Sequence, residues 1–345
     1  MKKNVNNKKF KIAITGAGGG VGQGIIKSLY DTDYGIVALD GENFGTGLYA
    51  VPCSYKIPYA KSEDFIPVLL EICRKENISL LFPGMDAELM KLSLHRDDFA
   101  NIGTIVVVSL PEVIKIANDK MHTYNALIPF GVSVPKTKNI VEWSETLKDN
   151  FHFPVIIKQK LDGARSKNVF LIQSEEELVN FMSDTSNILN DFIIQEYIEG
   201  DEYTCGTITL NGECKGVIVM RRILRDGDTY KCFSENNAIV EMEVRKVVNG
   251  IKPFGACNVQ LRVKDGKPYV FEINARCSGT TAARTLCGFN EPKMIADFLL
   301  KQIEPEYVIE EKTIFRYWKE LVVENNHVEM LKKQGFLKQQ TNTRL

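Results

Sequence analysis

The stretch Asn258–Asn290, NVQLRVKDGKPYVFEINARCSGTTAARTLCGFN, decides how the rest of the chain reads. Val259, Leu261 and Val263 alternate with Gln260 and Arg262. After the Asp265-Gly266 turn signal, Tyr269, Phe271 and Ile273 alternate with Val270, Glu272 and Asn274. Alternation of this kind marks half-buried strands, each with one apolar and one mostly polar face. If the apolar faces coincide, the numbers of paired residues sum to an even value, as for Gln260 and Glu272. That predicts an odd-length loop, most simply of three residues with Gly266 left-handed, and not a two-residue turn. Gln260, Glu272 and Asn274 then share one face, with Arg276 just past the second strand. One carboxylate and two amide oxygens on a rigid surface suit a hard, octahedral cation such as Mg²⁺, whose other positions go to water and phosphate oxygens. The competing reading is an amphipathic hairpin with a solvated face.

Working outward, 345 residues allow about two to three domains. A hydrophobic share of 44% and a charged share of 25% describe a globular chain with ample core. A net charge of −1 gives no electrostatic reason to expect nucleic acid or an anionic membrane as a partner. The Lys-rich start MKKNVNNKKFK is followed by IAITGAGGG, which glycines interrupt, so it does not read as a signal peptide. No run approaches the roughly 18 apolar residues of a membrane span. Eight scattered cysteines without a Cys-x-x-Cys pair, and four histidines, point to reduced structural thiols in a cytoplasmic protein, not to a disulfide framework or a zinc site.

Residues 10–40 read strand, glycine-rich turn, helix, strand. Gly16, Gly19 and Gly22 fit a T-G-x-x-G-x-x-G spacing, and Asp40 ends the second strand where a ribose-binding acid would stand. Backbone N–H groups at such a turn can hold phosphate, so an NAD-dependent oxidoreductase is one reading. It accounts for nothing after residue 115, and none of the twelve tyrosines begins a Tyr-x-x-x-Lys pair. Further β and α signals to residue 108 continue a parallel sheet.

In the middle of the chain, Asn118 or Asp119 caps a helix opening at Lys120. Lys158 ends an apolar strand and brings an ammonium to a polar cleft, where an anion would offset its desolvation; a strand-end lysine snorkelling to water is the simpler alternative. The loop KQKLDGARSKNV follows. Glu196 and Glu202 flank the connector Tyr197-Ile198, which could read an adenine edge and ribose hydroxyls or be an ordinary exposed turn. Arg221, Arg222, Arg225 and Lys231 surround an Asp-Gly-Asp turn, as a phosphate or substrate clamp or as solvated strand ends.

Asn-Asp-Lys at 118–120, Lys158, the loop 162–169, Gln-Glu-Tyr-Ile-Glu-Gly-Asp-Glu at 195–202, Gln260 and Glu-Ile-Asn-Ala-Arg at 272–276 together resemble the ATP-grasp superfamily. Within it, the order is similar to a single synthetase module of the carbamoyl-phosphate synthase large subunit. The resemblance covers roughly residues 10–300 and implies an α/β chain: a Rossmann-like pre-ATP-grasp domain, then a two-subdomain α+β ATP-grasp fold. The expected divisions are a tail at 1–9, the pre-ATP-grasp domain at 10–115, a small subdomain at 116–190, a large subdomain at 191–304 with the Mg-ATP site, and an extension at 305–345.

By the same resemblance, Lys120 and Lys158 contact ATP phosphates, and Gly163 and Ala164 lie in the covering loop. Glu196 and the Ile198 backbone meet adenine, and Glu202 meets ribose. Gln260, Glu272 and Asn274 hold Mg²⁺, with Mn²⁺ as a substitute, and Arg276 neutralises charge on the γ-phosphate or acyl phosphate. Lys158, Glu272 and Arg276 form the catalytic set. Departures from the family pattern are Ala275 in place of proline, and Ala164 and Asn168 in place of glycines. The segment Ser278–Arg284 is expected to help bind the acceptor, with Arg284 as a carboxylate anchor or an exposed helix residue. The implied activity is ligation of a small carboxylate to an amine, with a homodimer left open. A catalytically silent nucleotide-binding protein is a third reading.

Overall fold

The structure, a computed structural model, describes residues 10–143, 151–161, 168–339 and 344–345. It contains three sheets. The first is built on the apolar run at β1 (Lys11–Ile14), where Ile12, Ala13 and Ile14 are all fully buried. Continuous apolar runs of this sort suit parallel strands covered on both faces. With β2 (Gly35–Asp40), β3 (Cys53–Lys56), β4 (Ile78–Phe82) and β5 (Ile105–Val106) it forms a parallel sheet in the order β3-β2-β1-β4-β5. Because β1 lies between β2 and β4, the chain leaves it to opposite sides, and a crevice opens at the carboxyl ends of β1 and β4.

The second sheet is antiparallel and four-stranded, in the order β6-β9-β7-β8: β6 (Thr137–Asn139), β7 (Val155–Gln159), β8 (Val169–Ile172) and β9 (Phe192–Glu196). Ile157, Leu178 and Ile194 centre its own small core. Since β9 pairs inside this sheet, the chain crosses to the next sheet at 197–200, and the expected division at 190/191 shifts C-terminally. The expected division at 115/116 falls inside the helix Pro111–Asn118, which turns Ile114 to the first domain's core and Val113 and Ala117 to the third sheet's core.

The third sheet joins β10 (Asp201–Leu210), β11 (Glu213–Ile218), β12 (Met220–Arg225), β13 (Asp228–Ser234), β14 (Gly255–Lys264), β15 (Lys267–Asn274) and β16 (Thr313–Phe315), in the order β15-β14-β10-β12-β13-β16 with β11 on β10. Val240, Val244, Val247 and Val248 of the helix Ala238–Ile251 cover one face, against Val259, Leu261 and Ile273. On the other face Ile208 and Leu210 share a core with Ile25 and Ile26 of the first domain. The segment after residue 304 contributes β16 here and then β17 (Phe336–Lys338), which pairs antiparallel with β3.

The hairpin turn corrects the sequence reading. Lys264 pairs with Lys267, so the loop is the two-residue Asp265-Gly266 turn, with φ of 51° and 74°. Both centres are left-handed, as the mirror-image hairpin turns require. The even register returns through a bulge: Leu261 pairs with Val270, but Gln260 pairs with Glu272, leaving Phe271 unmatched. The apolar face of β15 is therefore Val270 and Ile273, both buried, and not Tyr269, Phe271 and Ile273.

Candidate functional site

The bulge sets Gln260, Glu272 and Asn274 on one face, as their spacing suggested, and hydrogen bonds tie them together. Gln260 Nε2 donates to Glu272 Oε1 at 3.2 Å and to Asn274 Oδ1 at 3.1 Å, and Asn274 Nδ2 donates to Glu272 Oε1 at 3.0 Å. Asn258, at the next position on this face, donates Nδ2 to Asn274 Oδ1 at 3.0 Å. The donor set holds one carboxylate among amides, and no group of three or more His, Cys, Asp or Glu able to hold a metal occurs among the described residues. Oxygen ligands with so little charge fit a hard cation whose charge is met chiefly by phosphate oxygens. Gln260 Oε1 accepts from Arg222 at 2.5 Å, so this amide would have to turn to offer its oxygen to a metal.

Lys158 arrives at this platform from the second sheet. Its Nζ lies 3.4 Å from the carbonyl oxygen of the bulged Phe271 and 5.3 Å from that ring's centroid. Burial drives its pKa down to about 7; Glu272 pulls it up, and Lys120 pushes it further down. Two buried lysines, Lys120 and Lys158, thus lie near the carboxylates of Glu272 and Glu202 in a site shielded from water. Asp119 caps the helix Lys120–Leu127, accepting from Met121 N and His122 N, and so fixes where Lys120 begins it.

Glu202 is held by two arginines. Arg222 donates to Oε1 at 2.6 Å and Arg262 to Oε2 at 2.8 Å. Burial opposes its charge, and the two guanidinium groups overcome that and keep its carboxyl below the ordinary value. Each arginine gives its oxygen two N–H groups, Nε and Nη2, so the roughly four acceptor positions of the carboxylate are all taken. Arg262 also donates to the Ile198 carbonyl at 3.2 Å, and Glu196 Oε2 accepts from Lys136 N at 3.2 Å. Of the basic cluster, Arg222 thus joins the platform, whereas Arg221 pairs with Glu235 at 2.6 Å and Arg225 stacks on Tyr230. Gly163 and Ala164 lie outside the described residues. Asn168 takes a left-handed φ of 56° and donates Nδ2 to Gln159 Oε1 at 2.9 Å, supplying the conformation a glycine would.

Arg276 reaches into the crevice of the first domain, where Nη2 donates to Asp86 Oδ2 at 2.5 Å. Burial opposes its charge, but Asp86 more than compensates, and its buried Nε has no acceptor among the described residues. Arg284 is neither a substrate anchor nor exposed. It is 0% exposed, paired to the equally buried Glu291 at 2.7 Å and hydrogen-bonded to Asn258 Oδ1. A chain of bonds thus runs from Glu291 through Arg284 and Asn258 to Asn274. Asp86, Asn258 and Arg262 were missed in the sequence as site residues, and of these only Asn258 carried a signal, standing two residues before Gln260 on the same face; Arg222 was read only as one of the basic cluster.

The glycine turn is occupied by its own chain. Asp40 Oδ2 accepts from Gly18 N at 2.6 Å and Oδ1 from Glu42 N at 2.8 Å. The acid expected to meet a ribose instead closes the turn, which removes the feature that favoured an NAD reading. No helix among the described residues is long and apolar enough to cross a membrane.

Comparison with known proteins finds family matches along the chain and solved structures of similar fold. Residues 12–107 match the family described as "PylC-like, N-terminal domain", residues 127–249 the "D-ala D-ala ligase C-terminus", and residues 189–321 "ATP-grasp in the biosynthetic pathway with Ter operon". D-alanine–D-alanine ligase A of Bacillus cereus is 24% identical over 242 residues, 61% of this chain and 76% of that protein. The carbamoyl phosphate synthase large chain of Methanosphaerula palustris is 26% identical over 322 residues; the match takes in 80% of this chain but 28% of that protein. Among solved structures, the N5-carboxyaminoimidazole synthetase of Staphylococcus aureus complexed with ADP superposes with a TM-score of 0.69 at 17% identity, covering 85% of this chain and 79% of that one. An L-amino acid ligase from Bacillus licheniformis superposes with a TM-score of 0.65 at 15% identity, covering 86% and 75%.

Proposed function

We propose that this chain, an ATP-grasp protein by its family matches and its fold, is an ATP- and Mg²⁺-dependent ligase that activates a small carboxylate for attack by an amine. The observation that carries the reading is the meeting of Lys158 with the β14–β15 platform. A buried ammonium from one sheet stands at the Phe271 carbonyl, beside Glu272 of another, and a nucleotide phosphate between the sheets would meet both.

Lys158 and Lys120 would hold the transferring phosphate, and Glu272, Asn274 and a turned Gln260 would hold Mg²⁺, which when bound cancels phosphate charge. The Ile198 backbone and Glu196 would border adenine. Glu202 would accept the ribose hydroxyls in exchange for the longer N–H contacts that Arg222 and Arg262 now give it. Arg276 carries a buried N–H without an acceptor and would offer it to an anionic oxygen of the γ-phosphate or of the acid. The acid's oxygen attacks the γ-phosphorus and ADP leaves. The amine nitrogen then attacks the acyl carbon, phosphate leaves and the nitrogen loses a proton. The residues supply alignment and charge, the usual division of labour in phosphoryl transfer. No nucleophile–base pair is needed.

Release of ADP, followed by a coupled assay over pairs of small acids and amines, tests this reading. It predicts Mg²⁺-dependent ADP release for some pair that falls to background when either member is omitted. Release without any acid, or none over a broad panel, counts against it.

A further inference from the structure

A second feature lies away from the metal platform. A cavity of about 700 Å³ opens between the helix Gly20–Leu29, the β12–β13 turn, the segment following Gly279 and the stretch 314–321. That volume lies within the range typical of small-molecule sites. Five cationic side chains line it: Lys27, Arg225, Arg316, Lys319 and Arg344. Asp226, Asp228 and Glu320 line it too.

The cations are poorly matched by those acids. Arg344 pairs with Asp31 at 2.8 Å, which lies outside the cavity wall. Arg316 donates to the Thr229 carbonyl at 2.8 Å and Lys319 to the Arg344 carbonyl at 3.2 Å, both neutral acceptors. Arg225 sits 3.9 Å from the centroid of the Tyr230 ring. Among the described residues, Lys27, Arg225, Arg316 and Lys319 have no carboxylate within ion-pair distance. Lys27 is held below its ordinary pKa by burial and then by Arg316 and Lys319, so positive charges crowd one another on this wall. Like charges gathered around an open cavity destabilise the fold unless an anion enters, and a ligand's carboxylate or phosphate is strongly favoured there.

We infer that this cavity receives an anionic small molecule, bound through a carboxylate or phosphate at Lys27, Arg316 and Lys319. Given the ligase reading, on which this step rests, the molecule is one of the two substrates to be joined. Its placement fits, because on the wall Gly20 opens the helix that follows the glycine turn and Gly279 stands three residues after Arg276. The rings of Tyr317 and Trp318, also on the wall and 83% and 85% exposed, are available to cover an apolar part of the ligand.

Calorimetric titration of the full chain with inorganic phosphate and, separately, with succinate tests the inference. Mg²⁺ and a non-hydrolysable ATP analogue are kept in excess, so that the nucleotide phosphate site is filled. Saturable binding of either anion is expected, and identifies the group received. The double variant Lys27→Met/Lys319→Met, altered only at the cavity wall, should bind that anion at least about tenfold more weakly, the size of one lost charge-assisted hydrogen bond. Absence of saturable binding, or equal affinity in the variant, overturns the site. A parallel titration with Mg-ATP separates the two levels. If the anion binds and ATP does not, the cavity stands and the ligase reading falls; the converse removes the cavity alone.

Discussion

Gln260 stands directly across the β14–β15 ladder from Glu272, although the two-residue Asp265-Gly266 turn alone would set it opposite Phe271. The bulge at Phe271 makes the difference, and it also turns that residue's carbonyl toward Lys158 at 3.4 Å. One irregularity therefore aligns the oxygen donors on one face and supplies the lysine with an acceptor.

Glu272 is the one carboxylate of the platform, and its replacement should be far more damaging to chemistry than to folding. Glu272→Gln keeps the shape and the Asn274 contact but removes the charge. Loss of one preorganised electrostatic group costs about 3 kcal/mol or more, so ADP release should fall by at least about a hundredfold. Circular dichroism and the thermal midpoint should stay near those of the parent, and near-normal turnover would exclude the metal-ligand role.

Lys158 gives a pH signature of its own. Its pKa in the folded chain is about 7, below the ordinary 10.5, so between these values the unfolded chain holds the extra proton. Stability contributed at this position therefore rises with pH through that window, and the penalty for the buried charge is full below about pH 7. Lys158→Met should be more stable than the parent, most of all below pH 7. The gap should shrink by up to about 1.4 kcal/mol per pH unit as pH rises toward 10.5. Chemical denaturation at a series of pH values reads this directly.

The same lysine should take up a proton when a nucleotide arrives. At pH 8 it is mostly neutral, and a phosphate beside it favours the ammonium. Calorimetry of Mg-ATP binding in buffers of different ionisation enthalpy should show net proton uptake at pH 8, little at pH 6, and none at either pH in Lys158→Met.

The buried pair Arg284–Glu291 ties the platform to the helix Glu291–Lys301. Removing one partner of such a pair costs about 3–5 kcal/mol, because the other is left charged and unpaired. Glu291→Gln should therefore lower the denaturation midpoint sharply. The double variant Arg284→Met/Glu291→Leu should recover much of the loss. Gly206→Ala should behave like the single variant, since a Cβ there would overlap both Glu291 and Arg284.

Much of this was legible from local pattern. The apolar runs at Phe10–Ile14 and Leu80–Pro83 and the glycine turn read as a parallel sheet, and alternation paired Gln260 with Glu272. Lys158 at the end of an apolar strand signalled a buried ammonium. The bulge was not legible, because strict alternation over 269–274 hides one unmatched residue, and the turn length was misread as a result. Partners distant in the chain were not legible either. Asp86 meets Arg276 across 190 positions, and Arg222 meets Gln260 across 38, with no local spacing to announce them. Arg284 follows small residues in a short helix, which resembles a surface position until Glu291 is placed against it. The pairing of β17 with β3 depends in the same way on the whole chain having folded.

The central claim is that a nucleotide sits between Lys158 and Glu272, and calorimetric titration of the full chain with ATP, with and without Mg²⁺, tests it most directly. Saturable binding that requires Mg²⁺, is greatly weakened in Lys158→Met and is not reproduced by NADH is the predicted result. Binding of NADH with no Mg²⁺-dependent binding of ATP would contradict it.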